Sequence, residues 1–172
     1  MPSTKVKIML ARIVFFAVMT LRRLFGLDSF TNVKRGVFFW FLDLSEGIDF
    51  AIYFTGAFEP RTISAYSHYI PSGGVAIDVG ANMGAHTLPL ANMVSETGRV
   101  LAFEPTASAF MRLTRNLAEN PSLKERVTAL QVMLTRETDV DVPAEIFASW
   151  PMVGGEDFSE EHLGVLISTN GA

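Results

Sequence analysis

The sequence predicts an α/β protein built on a parallel, doubly wound sheet, and three observations carry that prediction. Val75–Val79 (VAIDV), Arg99–Phe103 (RVLAF) and Val127–Leu134 are apolar runs of strand length. The segments between them carry helical periodicity and helix boundary residues. Two strand–helix–strand units in succession imply parallel strands joined by right-handed crossovers.

The protein opens with a basic, apolar head, KVKIMLARIVFFAVMTLRRLFGL. Its uninterrupted apolar stretch, Ile13 to Leu21 with one Thr, is nine residues long. A membrane span needs about 20, and no small-x-small cleavage site follows, as a signal peptide requires. Two readings remain for residues 5–27: a helix packed on the body, or a basic amphipathic helix in peripheral contact with a membrane. The expected location is cytoplasmic, with or without contact at the inner face of the membrane.

Residues 1–36 thus form an N-terminal helical extension, and residues 37–74 an aromatic lead-in. In the lead-in, Val37–Leu42 and Phe50–Phe54 read as short strands or buried segments. Glu59-Pro60 opens a helix on which Ile63, Tyr66 and Ile70 recur at helical spacing. Pro71-Ser72-Gly73-Gly74 is a turn.

Residues 75–172 hold the sheet. Val75–Val79 reads as a strand buried on both faces, and a helix is expected from about Ala85 to Val94. After Arg99–Phe103, Thr106 is placed to cap a helix carrying Phe110, Leu113 and Leu117, which Asn120-Pro121 stops. Beyond Thr135 come an acidic stretch, Trp150-Pro151, a Gly154-Gly155 turn and a possible strand at Val165–Ser168. The acidic run Glu156–Glu161 reads as solvated surface.

Composition narrows the function. The protein has 172 residues, of which 49% are hydrophobic and 19% charged, so it has the apolar content to bury a core and is not disordered. With no Cys there is neither a disulfide framework nor a cysteine nucleophile. His68, His86 and His162 lack metal-ligand spacing, so no metal is expected. Charge is divided: residues 1–36 hold seven Lys/Arg against Asp28 alone, and residues 37–172 hold seven against seventeen acids. An acidic body argues against a nucleic-acid partner, because phosphate contacts need clustered Lys and Arg.

The informative unit is VAIDVGANMG (Val75–Gly84) followed by VLAFEP (Val100–Pro105). In an open parallel sheet, ligands bind beyond the carboxyl ends of the strands, where both motifs lie. Gly80 permits a sharp turn off the first strand, and Gly84 lets the next helix approach the sheet. N–H groups at the start of that helix suit a carboxylate, and Thr87 is placed to bond it or the backbone. Asp78 ends an apolar strand, where a charge calls for a partner such as a ligand amine. Glu104 ends the second strand and can accept both hydroxyls of a ribose. A dinucleotide site favours a middle Gly where this sequence has Asn82. S-adenosylmethionine, with an amine, a carboxylate and a ribose but no phosphate, fits the anchor points better than NAD(P). An NAD(P)-dependent oxidoreductase is the alternative enzyme, and a non-enzymatic, membrane-associated fragment the alternative outside enzymology.

DVGANMGAHTLPLA, AFEP, a helix ending in NLAEN and the upstream YFTGAFEP resemble the FkbM-type S-adenosylmethionine-dependent methyltransferases, over roughly residues 50–134. The resemblance implies a Rossmann-like class I methyltransferase fold, with Asp78, Gly80, Asn82 and Gly84 in the cofactor loop and Glu104 as the ribose-binding acid. It implies methylation of a hydroxyl on a small molecule, polyketide or glycan. It also implies further strands after the last residues of this sequence. The sheet is therefore expected to be incomplete and the protein truncated at its carboxyl end, which leaves its own activity open. No catalytic base is identified. His86 reads as a helix-face histidine for want of a carboxylate to orient it.

Overall fold

A computed structural model describes residues 4–136, 143, 145–149, 151–152 and 165–168. The expected Gly154-Gly155 turn, the run Glu156–Glu161 and His162 lie outside the described residues.

The head is one helix, α1 (Thr4–Leu24), and no described helix is long and apolar enough to cross a membrane. Phe15 and Met19 are its buried contacts, and the Phe15 ring meets Phe50 edge-on at 5.4 Å. Strands β1 (Phe30–Arg35) and β2 (Phe38–Asp43) form an antiparallel hairpin. Gly36, at φ +58°, supplies the positive φ that its two-residue turn needs. The sequence pattern identified β2 but not β1, whose polar FTNVKR falls within the 1–36 stretch expected as a helical extension.

Phe50–Phe54, read as a short strand or buried segment, is partly buried but belongs to helix α2 (Gly47–Thr55), followed by α3 (Pro60–Tyr66). Aromatic residues favour strands, but here tertiary burial decides: Phe50, Ile52 and Asp49 sit on the inward side of α2.

The sheet is as expected in its pairing. β3 (Val75–Val79), β4 (Arg99–Phe103) and β5 (Val127–Leu130) lie in the order β3-β4-β5, parallel throughout. Helix α4 (Thr87–Met93) connects the first pair. Helices α5 (Ala107–Ala118) and α6 (Pro121–Lys124) connect the second. β5 is shorter than the apolar run that announced it, and α4 starts two residues later than expected. A second hairpin, β6 (Glu145–Ser149) with β7 (Val165–Ser168), includes the anticipated strand. It is tethered to the lead-in by Met152 N–H donating to Ser45 O at 2.7 Å.

Ala76, Val100 and Ala102 share a buried cluster with Leu88 and Ala91 of α4 and Leu113 and Leu117 of α5. The opposite face corrects the expectation of burial on both sides. Val75, Ile77 and Val79 are 69%, 62% and 65% exposed, so among the described residues nothing covers that face of β3.

Two polar seams lock the hairpin and α2 onto this half-sheet. Asn116 on α5 and Asn120 between α5 and α6, four residues apart, match residues two apart on β2. Asn116 Oδ1 accepts from Phe41 N–H at 2.7 Å, and Asn120 Oδ1 accepts from Phe39 N–H at 3.0 Å. In the second seam, the fully buried Asp49 accepts from Asp43 N–H (2.7 Å) and from Arg112 Nη1 (3.1 Å). Burial dominates over the Arg112 charge and raises the Asp49 pKa to about 7.

Candidate functional site

The loop Gly80–His86 leaves the carboxyl end of β3 and is held against the end of β4. Gly80 (φ +77°), Asn82 (φ +48°) and Gly84 (φ +99°) all take the left-handed region. Asn tolerates it where most residues do not. Its Oδ1 also accepts from the Met83 N–H at 2.7 Å. At Gly84 a Cβ would lie 3.0 Å from Leu113 Cδ1, so that side chain would have to give way. The close approach at this glycine is that of α5, where the sequence reading assigned it to the next helix, α4.

The loop amides are engaged inside the protein. Gly80 and Ala81 N–H donate to Phe103 O at 2.9 and 3.0 Å, and Gly84 N–H to Ala81 O at 2.9 Å. Asn82 N–H donates to Glu104 Oε2 at 2.8 Å. Glu104, only 3% exposed, also accepts from Thr106 N–H (2.8 Å) and Thr106 Oγ1 (2.5 Å) at its other oxygen. Glu104 therefore fastens the loop to β4. A carboxylate has about four acceptor positions, and these three bonds leave room for one further donor, where the sequence reading gave it both hydroxyls of a ribose. Thr106 begins α5 without the side-chain cap expected of it, since its hydroxyl is turned to Glu104.

Asp78 lies at the β3 end of the same loop. Its Oδ2 accepts from Thr87 Oγ1 at 2.6 Å. Thr87 is fully buried, so its hydroxyl orients Asp78; the backbone and carboxylate partners envisaged for it are not what it meets. Burial raises the Asp78 pKa, the Thr87 hydrogen bond and the neighbouring His86 oppose the rise, and Glu104 adds to it. Among the described residues no Lys or Arg forms an ion pair with Asp78.

Beside Asp78 the structure assembles a group that sequence spacing did not connect. Tyr66 Oη lies 3.0 Å from His86 Nδ1, and His86 Nε2 lies 4.0 Å from Glu59 Oε2. Glu59 Oε2 also accepts from Thr62 Oγ1 at 3.1 Å, and the Glu59 backbone holds φ +45°. Burial, then Asp78 and Glu59, raise the Tyr66 pKa. The direction of its hydrogen bond follows the His86 tautomer: with the imidazole hydrogen on Nε2, Tyr66 donates to Nδ1 and that hydrogen faces Glu59. The carboxylate found missing for His86 in sequence is thus Glu59, 27 residues upstream and brought close by the α3 turn. No short motif spans that separation; the YFTGAFEP segment, which contains Glu59, was the available signal.

No family model and no curated protein matches the sequence, so the FkbM resemblance rests on its motifs. Solved structures do share its architecture. A putative rRNA-methylase from Clostridium thermocellum is 26% identical, over 42% of this chain and 39% of that one, with a TM-score of 0.40. M. jannaschii TYW2 in complex with AdoMet is 18% identical over 72% and 49%, with a TM-score of 0.45. aTrm5, solved with tRNALeu, is 17% identical over 67% and 30%, with a TM-score of 0.46. The protein spans less than half the length of each of the three. The exclusion of a nucleic-acid partner is corrected here, because proteins named for rRNA and tRNA share this architecture. The net charge of a segment does not fix the charge of a binding surface, which other parts of a protein can supply.

Proposed function

We propose that this protein holds the cofactor half of an S-adenosylmethionine-dependent methyltransferase acting on a hydroxyl group. The observation that carries this reading is Asp78. It is a carboxylate at a strand end, half-buried, fixed by a neutral hydroxyl and paired with no Lys or Arg among the described residues. A ligand ammonium answers that need. Glu104 retains acceptor capacity for one ribose hydroxyl. The engaged amides of residues 80–84 favour this cofactor over a dinucleotide, whose pyrophosphate needs open N–H groups. The same engagement removes those amides as the seat of the cofactor carboxylate.

S-adenosylmethionine supplies a methyl group on a positively charged sulfur. The protein's own contribution is alignment and proton movement. Tyr66 can take a proton from an acceptor hydroxyl while passing its own to His86 Nδ1. Glu59 then faces the imidazolium and favours its charge. Tyr66 and His86 are the candidate base pair, and Glu59 is the positioning residue.

The FkbM resemblance favours a hydroxyl of a small molecule, polyketide or glycan. RNA is the competing acceptor class, present in the names of structural neighbours. Calorimetry of the full-length protein with S-adenosylhomocysteine and with NAD tests the cofactor. Binding of the first, weakened about tenfold or more in Asp78→Asn, is expected; NAD binding alone would overturn the reading. Transfer of labelled methyl from S-adenosylmethionine to total RNA, compared with glycan and small-molecule extracts, separates the acceptors.

A further inference from the structure

Helix α1 is apolar on two opposite sides. Phe15 and Met19, at 3% and 7% exposure, face the body. Val6, Met9, Leu10, Ile13, Phe16, Leu21 and Leu24 are between 39% and 77% exposed. Their spacings of one, three and five residues, at about 3.6 residues per turn, place them on the side away from Phe15 and Met19. A helix with one buried face ordinarily turns polar residues outward. Here the outward stripe runs almost the whole length of the helix.

Charge identifies what covers it. Thr4–Leu24 contains Lys5, Lys7, Arg12, Arg22 and Arg23 and no acid. Two copies of such a helix repel each other, which argues against a symmetric dimer through this face. Arg22 fixes the end of the helix to the body, its Nε donating to Asp28 O at 3.0 Å and its Nη2 to Phe30 O at 3.1 Å. The stripe is therefore held outward by the fold. No described helix can cross a bilayer, so the stripe is suited to lie in its surface.

We propose that the outward face of α1 docks the protein on an anionic lipid surface, with the apolar stripe in the interface and the basic residues other than Arg22 attracted to the headgroups. The head thereby serves in both capacities that its sequence left open, packed on one side and interfacial on the other. This inference does not depend on the methyl-donor reading.

Flotation of the full-length protein tests it, with phosphatidylcholine vesicles that contain or lack about 30% phosphatidylserine. Partitioning onto the anionic vesicles is expected, falling as salt rises and weakened about tenfold or more in the double variant Ile13→Glu/Phe16→Glu. Circular dichroism checks that the variant is folded; should it fail to fold, the lipid and salt dependence of the wild type decides. The proposal is overturned by absence of binding, by equal binding to both vesicles, or by undiminished binding of the folded variant. It is also overturned if light scattering finds a dimer that the variant dissolves while vesicles capture nothing.

Discussion

Asn116 is the residue through which the β1–β2 hairpin and the Gly80–His86 loop depend on each other. Its Oδ1 accepts from Phe41 N–H at 2.7 Å, and its Nδ2 donates to Met83 O at 2.9 Å. Asn116→Ala leaves both backbone groups without their partner. An unsatisfied buried polar group costs about 1–3 kcal/mol. Phe41 is half-buried and reaches water more easily, so about 1 kcal/mol is assigned to its N–H and about 2 kcal/mol to the buried Met83 carbonyl. The expected loss is about 3 kcal/mol, a factor of roughly 150 in the folding equilibrium. With a urea m-value of about 1–3 kcal/mol/M, the midpoint should fall by about 1–3 M. Urea denaturation followed by circular dichroism measures it. A loss below about 1 kcal/mol would refute the idea that this amide joins the two units, and would mean that water replaces it at both ends. Asn116→Asp, which sets a buried carboxylate oxygen against the Met83 carbonyl, should destabilise at least as much as Ala at neutral pH.

Other substitutions test the rest of the architecture. Gly84→Ala forces a methyl group into φ +99° and against Leu113, and should destabilise by about 1–3 kcal/mol by the same assay. For Asp49 the folded pKa of about 7 lies above the ordinary value of 3.8, so the folded state holds a proton that the unfolded state releases. Its contribution is fully present below pH 3.8 and is lost as pH rises to about 7, with a slope approaching 1.4 kcal/mol per pH unit. Asp49→Asn should flatten that slope in urea titrations run across this window. Arg112→Met should destabilise more at pH 8 than at pH 5, where Asp49 can take up a proton instead of remaining a buried, unpaired charge. His86→Ala should slow methyl transfer by about 10²-fold or more while S-adenosylhomocysteine affinity stays within about threefold. An equal fall in both would assign His86 to binding.

The sheet half was legible because each strand is a short apolar run bounded by turn residues. The identities of β3 and β4 and the pairing of three parallel strands follow directly from that pattern. The lead-in misled for a physical reason. Phe50, Tyr53 and Phe54 are strand-favouring residues by composition, but they lie on a helix because one side of it is enclosed by α1 and β2. Gly80, Asn82 and Gly84 were readable as backbone devices, and their dihedral angles agree. The internal engagement of Glu104 and Thr87 was not readable, since a carboxylate or hydroxyl beside a loop looks the same whether it faces a ligand or its own backbone. Nor was the Glu59–His86–Tyr66 group, whose members are joined by the path of α3 rather than by spacing.

The Gly80–His86 loop has a consequence for exchange and binding. Its amides from Gly80 to Gly84 hold partners within the protein, so its shape rests on its own backbone, Phe103 and Glu104. Ligand capture then involves no ordering of this segment and no slow conformational step ahead of encounter. In deuterated water the amide hydrogens of residues 80–84 should exchange slowly in the ligand-free protein, and adding ligand should slow them little further. Under the proposed function, selectivity at this loop then rests on fixed geometry.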